Sequence, residues 1–435
     1  MALPTLAYKG ARDFYPEDKR RQKYLFKTMR AAVERFGYEE YDAPLIEPLE
    51  LYLAKSGEEI VNDQTYSFTD RGDRKVAIRP EMTPSVSRMV AAKRQELAYP
   101  LRWYSIPNLW RYERPQRGRL REHWQLNVDL FGPDGIEADA EIIQIADSIM
   151  KAFKATPDMY SIKINSRLLV DFILRQYLHL GDVQAQTMTK LIDRRGKMDA
   201  VAFESEVHAL FSPSQREAGL GEQLIDLLDA KRPSDLPLAV RQHAAVQQLQ
   251  KLADLLDRAH VASAELDLGI MRGFDYYTDI VFEVYDSNPD NNRSLFGGGR
   301  YDGLVGLFGV EPVPTIGFGM GDVTVANFLE THQLLPQLHS ETEAYIALIG
   351  DVYDAAQRPI AELREMGLNL AVDITGRSLD KQIKTADKKH INYVIFIGET
   401  ELSSESFKLK NLSTGEETSS GLQRIVSTIK DFRNG

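Results

Sequence analysis

The sequence contains no cysteine. Disulfide bonds, thiolate zinc sites, iron–sulfur clusters and cysteine nucleophiles are therefore excluded. It also lacks an apolar run of the roughly 18 to 20 residues that a membrane span requires, and its N-terminal stretch has no apolar core typical of a secretory signal. These absences predict a cytoplasmic protein that does not enter a membrane.

Common metal and nucleotide motifs are absent as well. The eight histidines form neither HExxH nor another close ligand spacing, so we expect no bound transition metal. There is no GxxxxGK[ST] phosphate loop, and the glycine-rich segments GFGMGD and GGGRYDG do not match GxGxxG. A Rossmann-type dinucleotide site is thus disfavoured, and any triphosphate must be held by side chains.

The remaining pattern indicates several domains. A chain of 435 residues with 43% hydrophobic composition can bury two or three cores. Periodicity predicts amphipathic helices over 17–36 and 137–154, a helix with Thr83 as its N-cap, and a mostly helical block over 168–258 that interrupts segments rich in strands. The segment TIGFGMGD is expected to open one more helix. Near the C-terminus, AYIALIG, LNLAVDI and YVIFIG are separated by helical segments, which predicts βαβ units and a mainly parallel sheet.

One segment concentrates positive charge. WRYERPQRGRLREHWQ holds five arginines between two predicted strands, although the formal net charge of the chain is -11. Guanidinium groups stay charged and match phosphate oxygens in pairs. The cluster therefore predicts a polyanion site for a nucleoside triphosphate, a nucleic-acid backbone, or both. Its members are Arg111, Arg114, Arg117, Arg119 and Arg121.

Two further patterns each have two interpretations. In MRGFDYYTD, an arginine beside paired tyrosines either packs in a core or binds a ligand with a negative group and a ring. In the C-terminal region, four basic residues are spaced 4, 3 and 4 apart, and so are predicted to share one helix face, opposite an apolar face. That basic face either is merely solvated or contacts a polyanion. It comprises Arg377, Lys381, Lys384 and Lys388.

These segments, in this order, resemble the class II aminoacyl-tRNA synthetases, and in particular the histidyl-tRNA synthetase family. YDAPLIEPLELY resembles motif 1, WRYERPQRGRLREHWQ resembles motif 2, and TIGFGMGD resembles the start of motif 3. RGFDYY and GGGRYDGLV resemble the family's histidine-specific signatures. GRSLDKQIKTADKKHINYVIFIGETELSSESFKLKNLSTGE resembles its anticodon-binding domain, so the likeness spans nearly the whole chain.

The resemblance implies an α+β architecture. A catalytic domain built on a mostly antiparallel sheet would cover 1–167 and 259–332, a helical insertion 168–258, and an α/β anticodon-binding domain 343–435. Motif 1 implies a homodimer, with the segment around Pro44 and Pro48 at its interface.

The resemblance also implies an activity, which is the formation of histidyl-adenylate from L-histidine and ATP with Mg²⁺, followed by transfer to the 3' end of tRNA(His). Arg111 and Arg272 would be catalytic. The implied histidine-binding residues are Glu81, Thr83, Gln125, Asp129, Tyr276, Tyr277 and Tyr301. Those implied for ATP are Arg111, Glu113, Arg121, His123 and Arg272, with Arg121 reaching the outer phosphates. Those implied for tRNA are Arg117, Arg119, Arg377, Lys381, Lys384 and Lys388.

The sequence departs from the family pattern at two places. Val323 and Thr324 stand where motif 3 carries an acidic residue and an arginine, and His123 stands where a phenylalanine commonly stacks on adenine. Either another arginine serves the phosphates, or the chain does not form an adenylate. In the second case it would be a regulatory subunit of ATP phosphoribosyltransferase or a non-catalytic RNA-binding module.

Overall fold

The computed structural model describes residues 3–53, 64–271, 276–291 and 293–434. The chain divides into two compact units, Met1–Leu335 and Pro336–Gly435. Within the described residues, no helix has both the length and the apolar character needed to cross a membrane.

The first unit contains twelve described strands and twelve described α-helices. The strands are β1 Glu39–Glu40, β2 Ile46–Pro48, β3 Ser67–Thr69, β4 Lys75–Ile78, β5 Leu101–Ser105, β6 Asn108–Trp110, β7 Glu122–Phe131, β8 Tyr160–Ser166, β9 Ala264–Leu266, β10 Ile280–Asp286, β11 Ser294–Arg300 and β12 Thr315–Gly321. The helices are α1 Pro16–Glu34, α2 Glu50–Leu53, α3 Thr83–Ala92, α4 Ile136–Ala152, α5 Arg167–Phe172, α6 Asp182–Arg194, α7 Ala200–Leu210, α8 Pro213–Glu217, α9 Leu220–Leu228, α10 Leu238–Arg241, α11 Ala244–Arg258 and α12 Asp322–Thr331.

The central sheet has the order β1-β5-β7-β12-β11-β10-β8-β9, and β6 also pairs with β7. Among the described strands of this sheet, only the outer pairs β1–β5 and β8–β9 are parallel. The predicted mostly antiparallel sheet is confirmed. A separate three-stranded sheet has the order β2-β4-β3, and its strand β2 lies within the segment YDAPLIEPLELY.

The helices that cover the sheet follow the apolar periodicity. Ile142, Ile145 and Ile149 of α4 are fully buried, as their spacing predicts. The helices α5 to α11 lie between β8 and β9, and the buried residues Val246 and Leu249 belong to the apolar stripe of α11. The sequence therefore specifies which helix faces are buried.

The expectation that TIGFGMGD opens a helix was wrong, because seven of its residues form the central strand β12 and the helix begins at Asp322. Glycine is needed where β12 meets its neighbours. A Cβ at Gly317 would lie 2.5 Å from the carbonyl oxygen of Val128. Because the strand alternates glycine with larger residues, the side chains of Asp129 and Gln125 fit closely against its glycine face.

The second unit packs helices on a five-stranded sheet. Its strands are β13 Ala344–Leu348, β14 Leu370–Val372, β15 Tyr393–Ile397, β16 Phe407–Asn411 and β17 Glu417–Ser420, and its helices are α13 Tyr353–Glu365, α14 Leu379–Lys388, α15 Glu399–Ser404 and α16 Leu422–Asn434. The order is β14-β13-β15-β16-β17. The prediction of a mainly parallel sheet holds for β14, β13 and β15, whereas β16 and β17 are antiparallel.

The predicted basic helix face needs one correction. The helix α14 begins at Leu379, after Ser378 adopts an extended backbone with ψ 148°. Arg377 therefore precedes the helix, where its guanidinium donates to Asp373 over 2.7 Å. Lys381, Lys384 and Lys388 are exposed on the helix, while Ala386 is buried.

Candidate active site

The arginine-rich segment between β6 and β7 folds back at a tight turn. The backbone N–H of Gln116 donates to the carbonyl of Arg119 over 3.0 Å, and the reverse bond measures 2.9 Å. Gly118 between them has a φ of 76°, which glycine adopts without strain. A Cβ at Gly118 would lie 3.6 Å from Cγ2 of Thr324, so the tip of the loop lies over the first turn of α12.

Beneath this loop lies a cavity of about 530 Å³. Its walls come from the loop, from the connection between β10 and β11, and from the start of α12. Among the described residues, four arginines and two carboxylates line it, which gives this part of the lining a net charge of two positive units although the whole chain is acidic. These are Arg111, Arg117, Arg119 and Arg293, with Glu113 and Asp290. The cavity thus has the charge that the sequence predicts for a polyanion site.

Three loop residues interact at one wall of the cavity. The Nε of Arg111 donates to the carbonyl of Pro80 over 2.8 Å, which fixes the position of the guanidinium. Arg119 forms an ion pair with Oε2 of Glu113. The other carboxylate oxygen of Glu113 is buried and has no hydrogen-bond partner in the described part of the chain. A buried oxygen of this kind can accept from a ligand or bind a cation.

Arg121 does not line this cavity. Its guanidinium lies 3.9 Å from the centre of the Tyr112 ring and donates to the carbonyl of Glu113 over 3.1 Å and to Tyr8 over 3.2 Å. The expectation that Arg121 reaches the outer phosphates does not match this placement. One of its two aromatic partners, Tyr8, is 113 residues away in the sequence, and local spacing cannot reveal such a partner.

His123 lines the cavity and is neutral at physiological pH. Burial, reinforced by the positive charges of Arg111, Arg12 and Arg119, lowers the pKa of His123 to about 3. Its Nδ1 is buried without a hydrogen-bond partner among the described residues. A neutral imidazole can stack on a base or accept a hydrogen bond without adding to the charge of the cavity.

The strand β7 leads from this cavity to a second, buried polar group. His123, Gln125 and Asp129 alternate along β7 and so lie on the same face. The side chain of Gln125 also lines the cavity, and a Cβ at Gly319 would collide with it. The residues predicted to bind the ligand histidine and the arginine-lined cavity are therefore adjacent along β7.

Asp129 is a buried carboxyl group that accepts two phenolic hydrogen bonds. Tyr301 donates to its Oδ1, and Tyr41 donates to its Oδ2 over 3.3 Å. Burial raises the pKa of Asp129 to about 7, although both hydrogen bonds act in the opposite direction. A ligand ammonium group would favour its ionised form.

The predicted tyrosines come together beside Asp129. The ring of Tyr276 lies 5.1 Å from that of Tyr277 and 5.6 Å from that of Tyr301. The hydroxyl of Tyr276 donates to Glu81 over 3.2 Å and contacts Thr83 Oγ1 at 3.5 Å. Thr83 is the first residue of α3 and Met82 is its N-cap, so the prediction that Thr83 caps this helix was wrong.

Some predicted residues are not placed in this cluster. Arg272 lies outside the described residues. The basic residues of α14 belong to the second unit. Conversely, Tyr41 and Arg293 were not singled out from the sequence. The only local signal for Arg293 is its position next to the glycine-rich strand β11, whereas nothing local marks Tyr41.

Comparisons with known proteins show the family to which this chain is similar. The family model described as histidyl-tRNA synthetase matches residues 10–322, and the model described as anticodon binding domain matches residues 343–432. The histidine–tRNA ligase of Leptospira biflexa is 43% identical over 99% of this chain and 98% of the relative. That of Thermoplasma volcanium is 37% identical over 94% of each.

Solved structures share the fold. The histidyl-tRNA synthetase of Nostoc sp. PCC 7120 superimposes with a TM-score of 0.84 at 23% identity, covering 99% of this chain and 100% of that chain. A Bacillus halodurans C structure, named as an ATP phosphoribosyltransferase regulatory subunit/histidyl-tRNA synthetase, gives 0.73 at 23% identity, covering 92% and 100%.

Proposed function

The chain belongs to the histidyl-tRNA synthetase family and acts as a histidine–tRNA ligase, and we propose that it activates histidine where Asp129 and the arginine cavity adjoin. One observation carries the proposal, namely that β7 places the buried carboxyl group of Asp129 and the wall of the arginine-lined cavity on the same face. Histidine and ATP would meet at Gln125, which lies between the two. Full-length relatives at 37–43% identity are named histidine–tRNA ligases, which favours the ligase over the regulatory subunit.

Histidine would bind with its ammonium group towards Asp129, Glu81, Thr83 and Gln125. Oxygen acceptors are what an ammonium group requires. The imidazole would lie among Tyr276, Tyr277 and Tyr301, whose phenols can pair with ring nitrogens. Because Glu81, Asp129 and Tyr301 are buried, a ligand that left their polar groups unpaired would bind poorly, which provides specificity without editing.

ATP would occupy the cavity with its α-phosphate near Arg111. The histidine carboxylate is already ionised at neutral pH, so its attack on phosphorus needs no general base. The chain contributes alignment and charge neutralisation instead. Arg272, assigned by resemblance, would stabilise the charge that grows on the α-phosphate, and its removal should cost about 3 kcal/mol. Arg121 would position the backbone of Glu113.

Magnesium is expected with ATP, and one feature of the cavity fits it. Mg²⁺ in such sites uses one or two carboxylates together with phosphate oxygens and water. The unpartnered Oε1 of Glu113 is the described carboxylate oxygen that would hold it. The ion would neutralise phosphate charge. Among the described residues there is no group of three or more acidic or histidine side chains that would form an all-protein site.

Residues of both units would bind tRNA(His). Arg119, at the edge of the cavity, would guide the acceptor end, and the basic residues of 343–435 would contact the anticodon stem. Residues 1–167 and 259–332 would be catalytic, with 168–258 as an insertion. We assign the enzyme to the cytoplasm.

A homodimer would form at the three-stranded sheet. Its strands β2 and β3 and the neighbouring segments expose Leu45, Ile46, Leu53 and Phe68, each at least 45% accessible. Clustered apolar side chains on a surface are typical of an interface. This agrees with the role implied for the segment around Pro44 and Pro48.

The test is ATP–pyrophosphate exchange with each amino acid in turn. We expect exchange with histidine alone, and its loss in Arg111→Ala and Arg272→Ala variants that still fold. A folded wild-type protein without histidine-dependent exchange would contradict the proposed function and favour the regulatory subunit.

A further inference from the structure

We propose that Arg293 is a further ATP-binding residue, and that together with Arg117 it binds the outer phosphates. The inference rests on the proposed function of the cavity. Arg293 is the last residue of the connection between β10 and β11. Its side chain reaches the tip of the arginine loop, where Nη2 donates to Oε1 of Gln116 over 3.2 Å. Its side chain is exposed and lines the cavity.

The cavity arginines differ in how far they are already neutralised. Arg119 is paired with Glu113. No carboxylate of the described residues lies within 4.0 Å of the guanidinium of Arg117 or Arg293. Their described side-chain partners are neutral, namely Thr331 for Arg117 and Gln116 for Arg293. Both guanidiniums therefore keep most of their five donors for a polyanion.

The wall formed by α12 supplies no positive charge. Its residues that line the cavity are Val323, Thr324 and Asn327. Thr324 Oγ1 donates to the carbonyl of Leu295 over 2.7 Å, which joins α12 to the beginning of β11. The cation on this side of the cavity is instead provided by Arg293, one residue before β11.

The connection that carries Arg293 is anchored before a ligand arrives. The Nδ2 of Asn291 donates to Asp286 over 2.6 Å and to Thr331 over 3.1 Å. Thr331 Oγ1 is also the acceptor for Arg117, at 3.5 Å. One threonine of α12 thus contacts both the arginine loop and the connection before Arg293. Anchoring of this kind reduces the entropy lost when ATP binds.

The positions of Arg117 and Arg293 in the fold indicate which part of ATP these two residues would bind. The reacting α-phosphate must lie beside the histidine carboxylate, and histidine would bind where Gly317 of β12 pairs with Asp129 of β7. Arg117 and Arg293 lie beyond the C-terminal end of β12, next to Thr324 and Asn327 of α12. They would therefore contact phosphates distant from the reacting centre.

The experiment compares Arg293→Ala and Arg293→Lys with wild type in histidine-dependent ATP–pyrophosphate exchange. Loss of a charged, paired donor should raise the ATP KM roughly tenfold or more for alanine, and less for lysine, which keeps the charge but not the planar fork. The histidine KM should not change. Affinity for a non-hydrolysable histidyl-adenylate analogue, which has no outer phosphates, should also stay the same by titration calorimetry.

Arg35→Ala is the matched control, because this substitution removes the same charge from an exposed arginine outside the cavity. An unchanged ATP KM in Arg293→Ala would overturn the inference, as would an equal weakening of the adenylate analogue. A raised KM for tRNA alone would also overturn it and assign Arg293 to the acceptor stem. Failure of the proposed function is distinct, since wild type itself would then lack exchange.

Discussion

Arg12 and Asp322 are separated by 310 residues in the sequence, yet Nη2 of Arg12 donates to Oδ2 of Asp322 over 2.7 Å. Asp322 is the first residue of α12 and is buried, and its other oxygen accepts from the backbone N–H of Trp124 over 3.0 Å. The pair therefore joins the N-terminal segment, β7 and the start of α12, next to Gly321 and Val323 of the arginine-lined cavity.

Arg12→Ala should lower the free energy of unfolding by about 3 kcal/mol, because it leaves a buried carboxylate without its cation. Urea denaturation measures this loss in Arg12→Ala. The same measurement is made on the single variants Arg12→Met and Asp322→Leu and on the double variant Arg12→Met/Asp322→Leu. The double variant should recover part of the loss, since it leaves no buried charge. Additive losses in the double variant would show that the two side chains do not act as a pair.

The pKa of Asp129, about 7, predicts a pH dependence. As the pH falls from 8 to 6, Asp129 gains a proton and no longer attracts the histidine ammonium group, so kcat/KM for histidine should fall below about pH 7. The tyrosines that donate to it, Tyr41 and Tyr301, have pKa values raised by burial and stay neutral throughout.

Asp129→Asn should be less active at every pH and should lack this inflection. The titration of the substrate histidine remains in the kcat/KM profiles of both the variant and the wild type. Stability gives a second readout. Because the folded pKa lies above the ordinary value of 3.8, ionisation of Asp129 lowers the free energy of unfolding as the pH rises from about 4 to 7. Identical pH profiles for variant and wild type would remove Asp129 from the histidine site.

Gly317→Ala should disrupt histidine binding. The added methyl group would collide with Asp129 Oδ1 and lie 3.1 Å from the hydroxyl of Tyr301, so the buried pair must separate. We expect the histidine KM to rise more than tenfold, or the protein to lose about 1–3 kcal/mol of stability through overpacking. Gly303→Ala is the control, because a Cβ there meets no atom within 4 Å. Equal behaviour of the two variants would contradict the tight fit.

The exposed lysines of α14 should affect tRNA but not adenylate formation. Lys381→Ala/Lys384→Ala should raise the KM for tRNA several-fold and reduce the salt dependence of binding, since each phosphate contact contributes about 0.7 to 0.9 to its logarithmic slope. The control, Lys408→Ala/Lys410→Ala, removes the same charge from β16, where Glu417 pairs with both lysines. A loss of pyrophosphate exchange, or an equal effect in the control, would refute the assignment.

The sequence by itself determined the elements and their buried faces, because the periods of helices and strands are local. The stripe of α4, the two strands that flank the arginine loop and the exposed lysines of α14 are all examples. It also indicated a polyanion site, since five like charges in sixteen residues have few local partners. The prediction of a helix at TIGFGMGD missed the strand β12, because glycine both breaks regular patterns and permits closely packed strands.

Only the tertiary structure decided which arginines face the cavity and which carboxyl groups are buried. Arg121 is held by Tyr8 and Tyr112 away from the cavity, whereas Arg293 enters it from a segment 177 residues beyond Gln116. The pKa of Asp129 likewise depends on Tyr301, 172 residues away, and on burial by the whole sheet. Side-chain direction and desolvation depend on which distant segments the sheet register brings together, and local sequence patterns do not encode that register.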